Sequence, residues 1–240
     1  MQERPGARMS AKPKRTLLQR LLRRIVYKNY GRNLLFQLQL RALNEAADYA
    51  QAHMQEAMIF ESYPAYVGFL MSKTPPDGLI LEFGVAGGNS IRLIAANTRQ
   101  PVHGFDSFEG LPEDWSGHLE QRGAFSQKRQ LPKVPGNVQL HTGWFDATLP
   151  GFLETHPGPV SLLHIDCDLY GGAKYILDTL GSRLQPGSIV MFDEYFNYPS
   201  WRHHEYKAWQ EFVRTRHVRY TYIAFTAMDG CVAVRIDRIG

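Results

Sequence analysis

The chain has 240 residues, 44% apolar and 21% charged, which suits one sizeable core and excludes disordered and collagen-like classes. Two cysteines, Cys167 and Cys231, exclude a disulfide scaffold and a structural zinc site of the cysteine type. The net charge of +4 divides unevenly: residues 1–43 hold eleven Lys/Arg and one acid (+10), and the rest hold sixteen bases and twenty-two acids (−6). A basic leader on an acidic body argues against a nucleic-acid binder. No apolar run approaches the ~20 residues that span a bilayer. The N-terminus lacks the apolar stretch of a secretory signal. With both cysteines in apolar runs, the expected location is cytoplasmic.

Residues 1–14 are rich in Pro, Gly, Lys and Arg and are expected to be disordered. From Thr16 to Tyr27, Leu17, Leu18, Leu21, Leu22, Ile25 and Val26 form one helical stripe opposite Arg20, Arg23 and Arg24. That stripe needs a covering surface: its own domain, a second copy or an acidic membrane. Docking on protein across a homodimer interface is the expectation. Further helices are expected over Leu34–Met54 and Met58–Met71. Short apolar runs then follow at 79–83, 102–106, 138–141, 160–165 and 188–192, with helical stretches at Ser90–Asn97, Phe152–His156, Gly172–Leu184 and Trp201–Thr215. Apolar strands alternating with helices specify a parallel sheet covered on both faces. Tyr220–Phe225 and Cys231–Ile236, around Asp229-Gly230, alternate with period two and read as a hairpin. The expected fold is α/β and Rossmann-like: a mostly parallel seven-stranded sheet with a C-terminal antiparallel hairpin, preceded by N-terminal helices. The expected division is 1–77 for tail and helices and 78–240 for the sheet domain.

The polar residues collect at the strand ends, where open α/β sheets bind ligands. Strand one runs into Gly84, Gly87 and Gly88, and glycines between strand and helix admit a close ligand. Asp106 ends strand two, placed to accept hydrogen bonds from a ribose. The spacing is not G-x-G-x-x-G, which favours a nucleoside cofactor over a dinucleotide. Asp166, Asp193 and Glu194 follow strands four and five on the same rim, and three carboxylates there suit one hard divalent cation. Asp168 is expected to cap the next helix instead.

The segments ILEFGVAGGNS (80–90), GFDSFEGLPEDW (104–115), GWFDATLP (143–150), HIDCDLY (164–170) and PGSIVMFDEY (186–195) resemble a class I S-adenosylmethionine-dependent methyltransferase, and in detail the macrocin O-methyltransferase family, which includes the mycinamicin enzymes. The resemblance implies methyl transfer to a hydroxyl of a sugar or other natural product, assisted by Mg2+. It places Glu82, Gly84, Gly87, Gly88, Asn89 and Ser90 around the methionine part of the cofactor. It places Asp106 and Ser107 at the ribose and adenine edge, Trp144 and Phe145 flanking the adenine, and Ser126 nearby. Asp166, Asp193 and Glu194 fall on the metal positions, although the family commonly has a second Asp where this chain has Glu194. His118 falls near the family's candidate base, and His203 and His204, after the metal strand, are rivals.

Methyl transfer is an in-line displacement, so positioning dominates. A Mg2+ ion at Asp166 would activate the hydroxyl as Lewis acid and template, with a general base taking the proton. Other classes stay open: Asp166-Cys167-Asp168 also fits the D-x-D of metal-dependent phosphatases or of glycosyltransferases, and a non-catalytic cofactor-binding protein would share the fold. The expected partner is a small-molecule acceptor, with no nucleic acid and no membrane.

Overall fold

A computed structural model describes residues 16–240. The disorder expected for residues 1–14 therefore lies outside the described residues. The elements are helices α1 (Leu17–Val26), α2 (Leu34–His53), α3 (Tyr63–Lys73), α4 (Asn89–Ala96), α5 (Phe145–Thr155), α6 (Tyr170–Leu180) and α7 (Glu205–Thr215). The strands are β1 (Met58–Phe60), β2 (Leu79–Phe83), β3 (Val102–Asp106), β4 (Val138–Thr142), β5 (Val160–Ile165), β6 (Ile189–Phe192), β7 (Arg219–Thr226) and β8 (Val232–Arg238).

The eight strands form one sheet in the order β1-β7-β8-β6-β5-β2-β3-β4. Only β8 opposes its neighbours; every other pairing is parallel. The sheet thus has eight strands where seven were expected. The extra one is β1, which pairs in parallel with β7 at the edge (Met58 opposite Ala224). The helix expected over Met58–Met71 is corrected to this three-residue strand followed by α3. The Ser62 hydroxyl caps α3, and Pro64 occupies its first turn, where the missing N–H costs nothing.

Alternation along the strands sends side chains to two cores. Leu81, Phe83, Leu163, Ile165, Val190 and Phe192 meet α5, α6, α7 and the inner face of α2. Ile80, Leu162, Ile189 and Met191 meet α3 and α4. β1 and α3 lie before the expected boundary at 77/78, yet both are built into the sheet layers. α2 is seated by buried Ala42 and Ala46 and by a Tyr49 hydroxyl 2.7 Å from that of Tyr222.

α1 differs. Its start is a capping box, with Thr16 and Gln19 exchanging side-chain to backbone bonds. None of its residues is buried, and Leu17, Leu18, Leu21, Leu22, Ile25 and Val26 are all exposed. Its own sheet domain, one of the three surfaces considered, does not cover the stripe. No helix among the described residues is long and apolar enough to cross a membrane.

Candidate active site

The carboxyl ends of β2, β3, β5 and β6 open into a cavity of about 830 Å³. Gly84 and Ala86 line it after β2, Asp106 and Ser107 after β3, Asp166 and Asp168 after β5, and Asp193 and Glu194 after β6. Trp115 and His118 come from the loop after β3, and Trp144 and Phe145 from the start of α5.

Asp106 organises the glycine loop. Its Oδ2 accepts the backbone N–H groups of Val85 (2.8 Å) and Ala86 (2.7 Å), and its Oδ1 accepts that of Phe108 (2.6 Å). Two lone pairs of Oδ2 are thereby used, which leaves one acceptor direction on Oδ1 for a ligand hydroxyl. Gly84 has φ +92°, and a Cβ there would stand 1.6 Å from the Asp166 carbonyl oxygen. The glycine at 84 is thus required by the neighbouring turn itself.

Several residues of the motif lie outside the cavity wall. Glu82 is fully buried beneath the loop, where Oε1 accepts from the Ser90 hydroxyl (2.9 Å) and Oε2 meets His164 Nδ1 (3.0 Å). Gly88 takes the left-handed conformation that starts α4. Gly87 and Asn89 are exposed, and Asn89 Oδ1 accepts from Arg92 Nη2. Ser126 is exposed and accepts from the Lys128 N–H, while its neighbour Phe125 lines the cavity. Phe145 stands edge-on to Phe83, and Trp144 is 41% exposed.

The acids converge on a histidine. One donor atom each of His164, Asp166 and Asp193 lies within 4.8 Å of the others. His164 is fully buried. Its Nδ1 is held by Glu82, and its Nε2 has no hydrogen-bond partner among the described residues and lies 3.9 Å from Asp193 Oδ1. A carboxylate holding one imidazole nitrogen while the other faces carboxylates is a common support for a metal-binding histidine. Glu194 lies in the wall but outside this cluster.

Burial would raise the Asp193 carboxyl, but the nearby His164 imidazole outweighs it and holds it below its usual range. Burial would lower the His164 imidazole, but the nearby Asp193 carboxylate and the bond to Glu82 push it well up. Burial and then the Asp193 charge raise Asp166 well above its ordinary value. The same two causes push Asp168 up to about 7 and Glu194 up to about 8. Among the described residues no Lys or Arg pairs with any of these acids. Carboxylates at this density without bases, beside an orphaned imidazole nitrogen, fit a divalent cation.

The three candidate bases separate. His118 is exposed, stacks on Trp115 (4.1 Å between ring centres) and lines the cavity. His204 is buried behind that loop, where its Nε2 donates to the Ser116 carbonyl (3.0 Å) and burial lowers its pKa. His203 is exposed and outside the cavity wall.

Sequence reasoning missed His164 and Glu205. Nothing in the apolar run Val160–Ile165 says which way His164 points; only its register opposite Glu82 does. Glu205 opens α7 as a fully buried carboxylate, and no motif marks it.

Asp106→Asn keeps the shape but turns an NH2 towards N–H groups. It is expected to cost about 2–3 kcal/mol, the scale of bonds to a charged group, read as a lower urea midpoint; an unchanged midpoint would refute the organising role. A second expectation concerns pH. Asp166, Asp168 and Glu194 keep protons in the folded chain that the unfolded chain has already lost above about pH 4–5, so stability should fall as pH rises from about 5 to 8. Bound divalent cation should reverse the fall, because it selects the deprotonated acids. Melting temperatures across pH 5–9, in chelator and in excess Mg2+, test this; a flat or rising profile in chelator would count against it.

Residues 81–195 match the model of a family described as a methyltransferase domain. A curated relative, the 8-demethyl-8-(2,3-dimethoxy-alpha-L-rhamnosyl)-tetracenomycin-C 4'-O-methyltransferase of Streptomyces olivaceus, is 32% identical over 143 residues, 49% of this chain. The match spans about half the length of that relative (53%). Among solved structures, the calicheamicin methyltransferase CalS11 superposes with a TM-score of 0.57 at 20% identity, over 98% of this chain and 99% of that one. The O-methyltransferase NovP gives 0.53 at 20% identity, over 73% of this chain and 79% of that one. The matched segment 81–195 and the strand-end cavity lie on the same rim of the sheet, and the chain has the Rossmann-like fold of the methyltransferases CalS11 and NovP.

Proposed function

We propose that the chain is an S-adenosylmethionine-dependent O-methyltransferase acting on a hydroxyl of a sugar or sugar-bearing natural product, with a divalent cation, Mg2+ in the first instance, at Asp166 and Asp193. One observation carries this reading: a single cavity joins the Asp106-ordered glycine loop to the His164–Asp166–Asp193 cluster. The curated relative is named for methylating a rhamnosyl-bearing compound, which supports a sugar hydroxyl as acceptor. Nothing in the site favours a phosphatase or glycosyltransferase reading.

S-adenosylmethionine supplies an electrophilic methyl group on sulfonium. The Gly84–Ala86 loop, Asp106, Ser107, Trp144 and Phe145 would hold the nucleoside and aim that methyl along the cavity. Asp166 and Asp193, with His164 Nε2 behind them, would hold the cation, and Glu194 stands beside them in the wall. A cation there supplies Lewis-acid polarisation and a fixed seat for the acceptor oxygen. His118, at the cavity mouth, would receive the hydroxyl proton as the carbon–sulfur bond breaks and the carbon–oxygen bond forms. A smaller hollow of about 340 Å³, between Leu35, Phe36 and Gln39 of α2 and the loop Gly117–Leu119, shares His118 with the cavity and offers room for the acceptor.

Calorimetry should give micromolar binding of S-adenosylhomocysteine, about −8 kcal/mol, in chelator as in Mg2+. Methyl transfer to deoxysugar glycosides should vanish in chelator and return with Mg2+, and His118→Ala should lower kcat by ~10²–10⁴. Absence of S-adenosylhomocysteine binding would overturn the reading, and full activity of metal-free protein would remove the cation from it.

The exposed stripe of α1 supports the second part of this reading, a homodimer in which α1 packs on protein. Deletion of residues 1–33 is expected to shift sedimentation towards monomer with S-adenosylhomocysteine binding retained. Binding of the full chain alone to anionic vesicles, with an unchanged oligomeric state on truncation, would favour a membrane surface instead.

A further inference from the structure

Glu205 is a fully buried carboxylate whose only hydrogen-bond donors, among the described residues, are three backbone N–H groups. Its Oε1 accepts from Cys167 and Asp168, both at 3.3 Å, and its Oε2 accepts from Glu194 at 3.1 Å. The first two belong to the turn after β5 that carries Asp166 and Asp168. The third belongs to the turn after β6 that carries Asp193 and Glu194. One side chain therefore bridges the two acid-bearing turns from below.

The Cys167–Asp168 turn needs such support. Asp168 has φ +64°, the left-handed region that a non-glycine residue adopts at a cost. Successive N–H groups at such a turn form a concavity that suits acceptor oxygens, and the Glu205 carboxyl supplies them. The placement is also costly: burial, then the charges of Asp168, Glu194 and Asp193, push the Glu205 carboxyl well above its ordinary range. A buried acid beside three others is not what packing alone selects, since an apolar residue would fill the space without the repulsion.

We propose that Glu205 is a positioning residue for the cation site, setting the separation and orientation of the Asp166 and Asp193 turns without itself meeting the cation or the acceptor. This rests on the cation reading above. All three bonds require an acceptor. The substitution Glu205→Gln turns an NH2 towards N–H groups of one turn or the other in either amide orientation. The substitution Glu205→Asp leaves a side chain too short to bridge both turns.

The test uses the full chain with Mn2+ as the probe. Free Mn2+ is followed by electron paramagnetic resonance, S-adenosylhomocysteine binding by calorimetry in chelator, and folding by thermal melts. Glu205→Gln is expected to weaken Mn2+ binding at least tenfold while S-adenosylhomocysteine affinity stays within threefold. Glu205→Asp should fall between it and the unsubstituted chain. If Glu205→Gln gives no cooperative melt, Glu205→Asp alone carries the comparison, with at least a threefold loss of Mn2+ affinity expected. Unchanged Mn2+ affinity in a folded variant would overturn the proposal and leave the cation reading standing. Parallel losses of Mn2+ and S-adenosylhomocysteine affinity would overturn it in favour of a general structural role. Failure of the unsubstituted chain to bind Mn2+ would overturn the cation reading itself, and this inference with it.

Discussion

Gly84 and the Asp166 carbonyl approach so closely that no side chain fits between them, and the rim of the sheet is built around that approach. The ladder of backbone bonds continues one residue past the strands. Gly84 N–H donates to the Phe105 carbonyl, Asp166 N–H to that of Phe83, and Asp193 N–H to that of Ile165. Each loop therefore leaves its strand in register with the next. The glycine loop and the two acid turns form one unit, and the sheet sets their spacing. A parallel sheet alone delivers several strand ends to one side. The Gly84 contact is what brings the β2 loop against the β5 turn.

Carboxylates beneath and within the loops then finish what the sheet begins. Asp106 gathers Val85, Ala86 and Phe108; Glu205 gathers Cys167, Asp168 and Glu194; Glu82 holds Ser90 and His164. These bonds are charge-assisted or buried; those of Asp106 and Glu205 constrain turns, and those of Glu82 tie α4 and β5 to β2. The motif residues thus divide into two layers. One layer faces the cavity, and the other holds the first in place. Glu82 and Ser90 belong to the supporting layer although they sit in the most recognisable stretch of sequence.

The strands were legible because parallel strands buried on both faces read as unbroken apolar runs, and 79–83, 102–106 and 160–165 coincide with β2, β3 and β5. β1 was not legible: three residues between helix-forming stretches carry no period of their own, and the pairing with β7 crosses more than 160 residues of chain. α5 extends from Phe145, well before the expected Phe152, because Pro150 is accommodated inside it. In the site, acids at strand ends could be read as candidates, but not the tasks they share. Whether Asp106 faces a ligand or the Val85 amide depends on the path of a loop about twenty residues away. His164 was hidden for the same reason, since its partner Glu82 lies 82 residues earlier.

Charge at the rim links stability to chemistry. Asp166, Asp168, Asp193, Glu194 and Glu205 meet in one region of a body whose net charge is −6, and among the described residues only His164 offsets them directly. That offset goes to Asp193, the one acid of the group held below its ordinary range. The remaining acids have two ways to relieve their repulsion: keep protons, or share a cation. Keeping protons is the state that burial enforces near neutrality, and it leaves the carboxyls poor ligands. A divalent ion releases those protons and uses the same carboxylates as ligands, so the feature that makes the bare rim unfavourable is the one that drives cation uptake. The repulsion does not scatter the turns, because the backbone ladder and the Glu205 bridge hold them from beneath. The rim is therefore held in place despite its charge, and a cation would enter a site already arranged for it.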